Sequence, residues 1–364
     1  MLDDTAGAFR RGTFERCRLA PNRPAVIVAP PATDNPVGSN TQKLAAYTSR
    51  VVSTEFPFNE IVPSWNVEVP NGAGFYVEIR FGRGADSFWT AWYYFGRWGA
   101  AGESLEKHIR DEHGVVRVDC FQSSETFDRL QYRVHFHSAL ANVGPALRRF
   151  AIAYSNVLDD AELARKHPPA FEVGPKSQWA RRLPVPFKSQ KDAPPDLRSL
   201  VCSPTATAMV MAYYGVDRAP GDVARVIYDP EYEIYGTWLR AVEGAFTCGV
   251  PGYIERFGDW DAVKRQIAAG HPVVASIVAG RDELRGARYH ATDGHLIVIA
   301  GFDGRGGVHV NDPAGTTRDE GVVTYAMDDL ETVWFGHGGV GYVLLPPERP
   351  IATQPARAGV RTAR

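Results

Sequence analysis

The sequence predicts two folded units in series, an antiparallel β-sandwich and then an α+β domain. Three observations carry that expectation. Stretches of period-two alternation fill the first half, a proline-rich connection follows near residue 170, and the second half sets helices ahead of strands. At 364 residues and 44% hydrophobic content, the chain has length and apolar mass for about two domains. The expected division is 1–170 for the sandwich with its N-terminal extension, 178–347 for the α+β domain, and 348–364 as a disordered tail.

Residues 1 to about 45 read as loosely ordered, because AVIVA (Ala25–Ala29) is followed by the loop composition of PPATDNPVGSN. The AVIVA run is offered as an edge strand. From Tyr47 to Asn156 short strands succeed one another. Trp65, Val67 and Val69 alternate with Asn66 and Glu68, and Phe75, Val77, Ile79 and Phe81 alternate with Tyr76, Glu78 and Arg80. One apolar and one polar face per strand is what a sandwich layer needs. Phe88–Phe95, Val115–Phe121, Leu130–Phe136 and Phe150–Tyr154 continue the series.

Asp86 to Trp98, DSFWTAWYYFGRW, holds more rings than one inward face uses. Its surplus, Trp89, Trp92, Tyr94 and Trp98, reads either as packing or as a candidate platform for a carbohydrate or cell-surface polymer. His135 and His137 share a strand face, but two histidines without a third ligand make a weak metal site.

Asp159–His167 is expected to be a short helix, with HPPAFEVGP as the connection between domains. In the second unit, helices are expected after Cys202, over Trp238–Phe246 and over Trp260–Ala269, with Gly270 closing the last. Pro272–Val278, His295–Phe302 and Val340–Leu345 have strand length.

Composition narrows the partners. A formal net charge of −2 gives no broad attraction to nucleic acid. No apolar run reaches the roughly 18–20 residues of a membrane helix, and MLDDTAGAFRRGTF is not a signal peptide. The printed chain therefore reads as cytoplasmic, or as secreted if a leader is missing. Its oligomeric state is not written in its composition. Cys17, Cys120, Cys202 and Cys248 form no CxxC pair, so the three other than Cys202 read as buried thiols, with a disulfide between two of them left open. No cofactor is expected: GFDGRGG lacks both a P-loop lysine and a dinucleotide fingerprint and reads as a hairpin.

The chemistry centres on LVCSPTATAMVMAYYG, Leu200 to Gly215. Ser203 is expected to cap the helix, Pro204 to occupy its first turn, and Gly215 to end it. Cys202 then stands where unpaired N–H groups and the helix dipole favour a thiolate. A thiol so placed needs a base. His295, between Gly294 and an apolar strand, is the leading candidate, with His271, His290 and His309 as alternatives. Asp312, in NDP after VHV, is placed to orient the imidazole, and Gln190 with the Cys202 N–H to meet an oxyanion.

Gln190, CSPTATAMVMAYYG, DGHLIVIAGFD and VNDPAG resemble, in that order, the motif blocks of a bacterial papain-like family related to the bacteriocin-processing cysteine peptidases. The resemblance runs from about Arg182 to Leu345. It implies a papain-like fold with Cys202 as nucleophile, His295 as base, Asp312 as orienting acid and Gln190 on the oxyanion side. The implied activity is that of a cysteine peptidase or amide hydrolase working through a thioester acyl-enzyme on a peptide or other amide. The sandwich is similar to accessory domains found beside such peptidase domains. One departure stands out: the family has glycine after the cysteine, and here Ser203 is expected to narrow the cleft or stiffen the backbone beside the oxyanion hole. Two other readings are open, a cysteine-dependent acyltransferase and a noncatalytic carbohydrate- or cell-surface-binding protein.

Overall fold

The computed structural model describes residues 1–28, 43–84, 88–100, 107–138, 143–158 and 173–347. The helix expected over 159–167 and the tail from 348 lie outside them.

Two long strands, Val52–Glu68 and Cys120–Ser138, organise the first domain. Cys120–Ser138 pairs antiparallel with Val52–Glu68 along its first half (Phe121 opposite Ile61, Leu130 opposite Val52) and with Ala73–Arg83 along its second (Leu130 opposite Phe81, Phe136 opposite Phe75). It passes from one layer into the other and closes the sandwich into a near-barrel. Register shifts between Gln122 and Phe127, and between Phe127 and Arg129, supply the bend that this passage needs. Inward-facing Phe58, Phe75, Phe81, Tyr93, Phe121, Phe127, Tyr132 and Phe136 are fully buried. Each such ring contributes about 1.5–3 kcal/mol of transfer free energy.

The first 28 residues are ordered, contrary to expectation. Leu2–Asp3, Thr13–Glu15 and Cys17–Leu19 each pair with another strand, and Thr5 caps a helix over Ala6–Arg10 by accepting the Ala8 N–H at 3.1 Å. Strands of two or three residues carry no readable period; longer neighbours order them. Val26–Val28 is not an edge strand, because it has partners on both sides, Cys17–Leu19 and Ala146–Leu147.

The second domain is built on an antiparallel sheet in the order Gly252–Arg256, Val340–Leu344, Val273–Ala279, Thr292–Phe302, Gly307–Asn311, Val322–Ala326. Helices Cys202–Tyr213, Pro220–Ile227 and Trp238–Thr247 precede it in the chain. The first of these packs on strand Thr292–Phe302 and is buried on all sides from Ser203 to Met211. Gly215 ends it with φ +88°, as expected. Leading into it, the proline-rich segment stays extended and joins the sheet: the Leu183 N–H donates to Ala300 O at 2.7 Å. Gly301 permits this approach, since a Cβ there would stand 1.8 Å from the Arg181 carbonyl oxygen.

The domains share polar contacts as well as apolar ones. The outer N–H groups of Gly252 and Ile254, on the edge strand, donate to Asn66 Oδ1 at 3.2 Å and Ser64 Oγ at 3.0 Å. Arg256 pairs with Glu60 at 2.8 Å beside them. Side chains of the sandwich thus satisfy an edge that would otherwise be open to another strand.

Candidate active site

Cys202 is the first residue of its helix; Val201 occupies the cap position and offers no side-chain cap. The expectation that Ser203 caps this helix is corrected: Ser203 is fully buried, and its hydroxyl lies 3.2 Å from the Tyr342 hydroxyl. Its side chain is spent on the core, which removes the expected narrowing of the cleft by that group. Cys202 itself keeps partial exposure.

His295 comes from strand Thr292–Phe302, where it pairs with Ile277, and is 6% exposed. Its Nε2 meets Asp312 Oδ1 at 2.8 Å. The same imidazole is coupled electrostatically to Cys202, and with Nε2 committed to Asp312 its Nδ1 is the nitrogen left for the sulfur. Asp312 follows strand Gly307–Asn311 in a tight turn, with the Ala314 N–H donating back to its Oδ1 at 2.9 Å.

Burial by itself raises the Cys202 thiol. The hydrogen bond and positive charge of His295, with backbone donors at Leu296 and Ser203, outweigh it and hold the thiol below its usual range. Burial likewise disfavours charge on His295, but the Asp312 carboxylate and the Cys202 sulfur reverse that and hold the imidazole well above its usual value. Asp312, disfavoured as an anion by burial, is held below the usual carboxylate range by His295, the Ala314 N–H and Tyr325. All three shifts run toward the charged forms, thiolate, imidazolium and carboxylate.

Two tyrosines complete the carboxylate's hydrogen bonding. Tyr325 donates to Asp312 Oδ2 at 2.8 Å and Tyr289 donates to the same oxygen at 3.2 Å. Tyr289 also sets its ring against the imidazole, with centroids 5.0 Å apart and planes at 67°. Neither residue is marked in the sequence: ARYH sits in a polar loop and TYA in a short edge strand.

Gln190 begins a short turn, Gln190–Asp192, and is 7% exposed. Its N–H donates to Pro313 O at 3.0 Å, next to Asp312 in sequence, while its Nε2 donates to Arg198 O at 2.8 Å. One Nε2 hydrogen remains. Among the described residues Gln190 Oε1 has no partner, and no direct bond joins Gln190 to Cys202. The other histidines are engaged elsewhere: His271 with Gln266, His290 with Asp282, His309 with Thr324.

The four rings proposed as a ligand platform have different neighbours. Arg80 lies 4.6 Å from both the Trp89 and Trp92 rings, and Arg133 lies 4.4 Å from Trp92. Tyr94 and Trp98 instead meet the second domain, Tyr94 through Glu231 at 2.9 Å and Trp98 under Arg240 at 4.8 Å. The cysteines are free, with Cys17 and Cys120 buried, so the structure contains no disulfide among these four.

The chain thus joins a near-barrel β-sandwich to a mixed α/β domain that sets Cys202 at a helix start and His295 against Asp312. Residues 182–342 match the model of the Peptidase_C39 like family, and residues 3–155 match that of the Peptidase C39 N-terminal domain. The chain thus carries a C39-like peptidase domain preceded by a C39 N-terminal domain. No curated protein matches it.

Proposed function

We propose that this protein is a cysteine peptidase or amide hydrolase in which Cys202, His295 and Asp312 act as a triad through a thioester acyl-enzyme. The observation that supports it best is the 2.8 Å bond from His295 to Asp312, with the same imidazole coupled to a cysteine that begins a helix.

In the first half-reaction the Cys202 thiolate attacks the substrate carbonyl carbon, forming a C–S bond and placing the electron pair on oxygen. The remaining Nε2 hydrogen of Gln190 and the Cys202 N–H meet that oxyanion. The His295 imidazolium gives its proton to the amide nitrogen as the C–N bond breaks, leaving a thioester. In the second half-reaction neutral His295 takes a proton from water; the resulting attack on the thioester releases the acid and regenerates the thiolate–imidazolium pair. Asp312 keeps the imidazole in the required tautomer and orientation throughout.

The test is hydrolysis of a randomised, internally quenched octapeptide library by wild type, Cys202→Ala and His295→Ala. Loss of turnover in both variants with unchanged thermal unfolding supports the reading. Turnover equal to wild type in Cys202→Ala overturns it.

A further inference from the structure

Tyr289 reaches the His295–Asp312 pair from a hairpin loop over 280–291, whose ends meet where Ala279 pairs with Thr292. Bonds within the loop hold its shape: the Asp282 N–H donates to His290 O at 2.8 Å, and the Asp282 carboxylate lies 2.9 Å from His290 Nδ1. Leu284 is buried, and Ala287 and Tyr289 pack against the same core. A loop with joined ends and packed side chains of its own is a compact unit.

Two arginines tie this unit to the segment that follows Asp312. Arg285 grips Asp329, on helix Met327–Val333, with the fork of its guanidinium: Nη2 donates to Oδ1 at 2.7 Å and Nε to Oδ2 at 3.0 Å. The Arg285 backbone N–H adds a bond to Oδ2 at 3.1 Å. A forked, charge-assisted contact fixes geometry as well as adding attraction. Asp329 is buried, and its helix directly follows strand Val322–Ala326, which carries Tyr325. Arg288 pairs with Glu320 at 3.5 Å, and Glu320 accepts the Thr316 N–H at 2.9 Å. Between the two arginines Gly286 takes φ +85°, a turn that glycine makes without strain.

Both hydroxyls on Asp312 Oδ2 are thus set from one framework, Tyr325 by its strand and Tyr289 by a loop clasped to the helix that this strand runs into. Tyr289 is half-buried, whereas Asp312 is 1% and His295 6% exposed, so the tyrosine stands between the pair and solvent. Burial and the Asp312 charge keep its hydroxyl protonated and therefore a donor. The other titratable or charged groups around the pair are Cys202, Tyr325 and Arg288, the last acting on Tyr325.

We propose that the loop over 280–291 is a strap that seats Tyr289 across the His295–Asp312 pair and keeps water from it, and that the Arg285–Asp329 clasp sets the strap. Arg285 is then a positioning residue: its side chain is 74% exposed, its bonds go to Asp329, and it acts on Cys202 through Tyr289. Water admitted beside the pair would screen its charges. Attraction outweighs burial at both His295 and Cys202 in the closed arrangement, so loosening the strap returns each toward its ordinary value. The inference rests on the triad reading above.

The test measures alkylation by iodoacetamide from pH 5 to pH 10, read at Cys202 by peptide mapping, in full-length wild type, Arg285→Ala, Tyr289→Ala and the double variant, with thermal unfolding of each. Tyr289→Ala is expected to move the profile up by about one pH unit, a loss of about tenfold at pH 6 with little change at pH 10. Arg285→Ala should move it by about half as much, a loss of about threefold at pH 6. Because the arginine acts through the tyrosine, the double variant should lose no more than Tyr289→Ala alone. Arg285→Lys, which keeps a charge beside Asp329 without the fork, should lose less than Arg285→Ala. If Tyr289→Ala does not fold, the Arg285→Ala and Arg285→Lys profiles decide. A lower unfolding temperature in Arg285→Ala with an unmoved profile, or losses that multiply in the double variant, overturns the inference alone. A wild-type profile centred at the ordinary thiol value overturns the triad reading, and this inference with it.

Discussion

His295 Nε2 and Asp312 Oδ1 stand 2.8 Å apart in a pocket where Asp312 is 1% exposed. A carboxylate this enclosed is held ionised only by what surrounds it, and its charge in turn keeps the imidazole protonated beside Cys202. The predictions follow from that mutual dependence.

Asp312→Asn keeps the shape and removes the charge. The imidazolium loses its main support, so the Cys202 thiolate forms only at higher pH. Iodoacetamide alkylation measured at pH 6 should fall at least about tenfold, since one unit of thiol pKa is a factor of ten in thiolate below that pKa. An unchanged rate would show that Asp312 does not set the pair's protonation.

Stability should depend on pH from both sides. His295 is raised in the folded protein, so its contribution is complete below about 6.5 and is lost as pH climbs through about 10. Asp312 is lowered, so its contribution is present above the ordinary carboxylate value near 3.8 and is lost as pH falls through the folded value. Urea unfolding of wild type across this range should show both declines, and His295→Gln should flatten the alkaline one.

Tyr325→Phe removes the shorter of two hydroxyl bonds to Asp312 Oδ2. Bonds to a charged group are worth about 1.5–3 kcal/mol, and Tyr289 still serves the same oxygen, so a loss of about 1.5 kcal/mol in urea unfolding is expected. Tyr289→Phe should cost less in stability, because its bond is longer and its ring contact with His295 is kept. Equal costs would contradict this ordering.

Ser203→Ala deletes a hydroxyl that meets Tyr342 in the core. It should lower stability by about 0.5–1.5 kcal/mol and leave the rate of Cys202 alkylation and the peptide cleavage profile unchanged. A changed profile would mean that residue 203 bears on substrate after all.

Much of this arrangement was legible in the residues, for identifiable reasons. Long strands such as Ala73–Arg83 show their period, so the sandwich was visible, and helix Trp260–Ala268 announces itself through Gly270, which ends it at φ +86°. Cys202, His295 and Asp312 were legible as residue types at element boundaries, although only folding brings them together. Ser203 was misread because serine near a helix start usually caps, whereas here the helix begins one residue earlier and the hydroxyl is taken by Tyr342. Tyr289 and Tyr325 were illegible because their role lies in tertiary contacts.

Cys202 is the residue expected to carry the acyl group. Wild-type protein mixed with the octapeptide library and quenched in acid within milliseconds to seconds should show, by peptide mapping, an acyl adduct on Cys202 that disappears on treatment with hydroxylamine. Cys202→Ala should show none. Turnover with no adduct at Cys202, or an adduct at another residue in the active wild-type protein, would contradict the account.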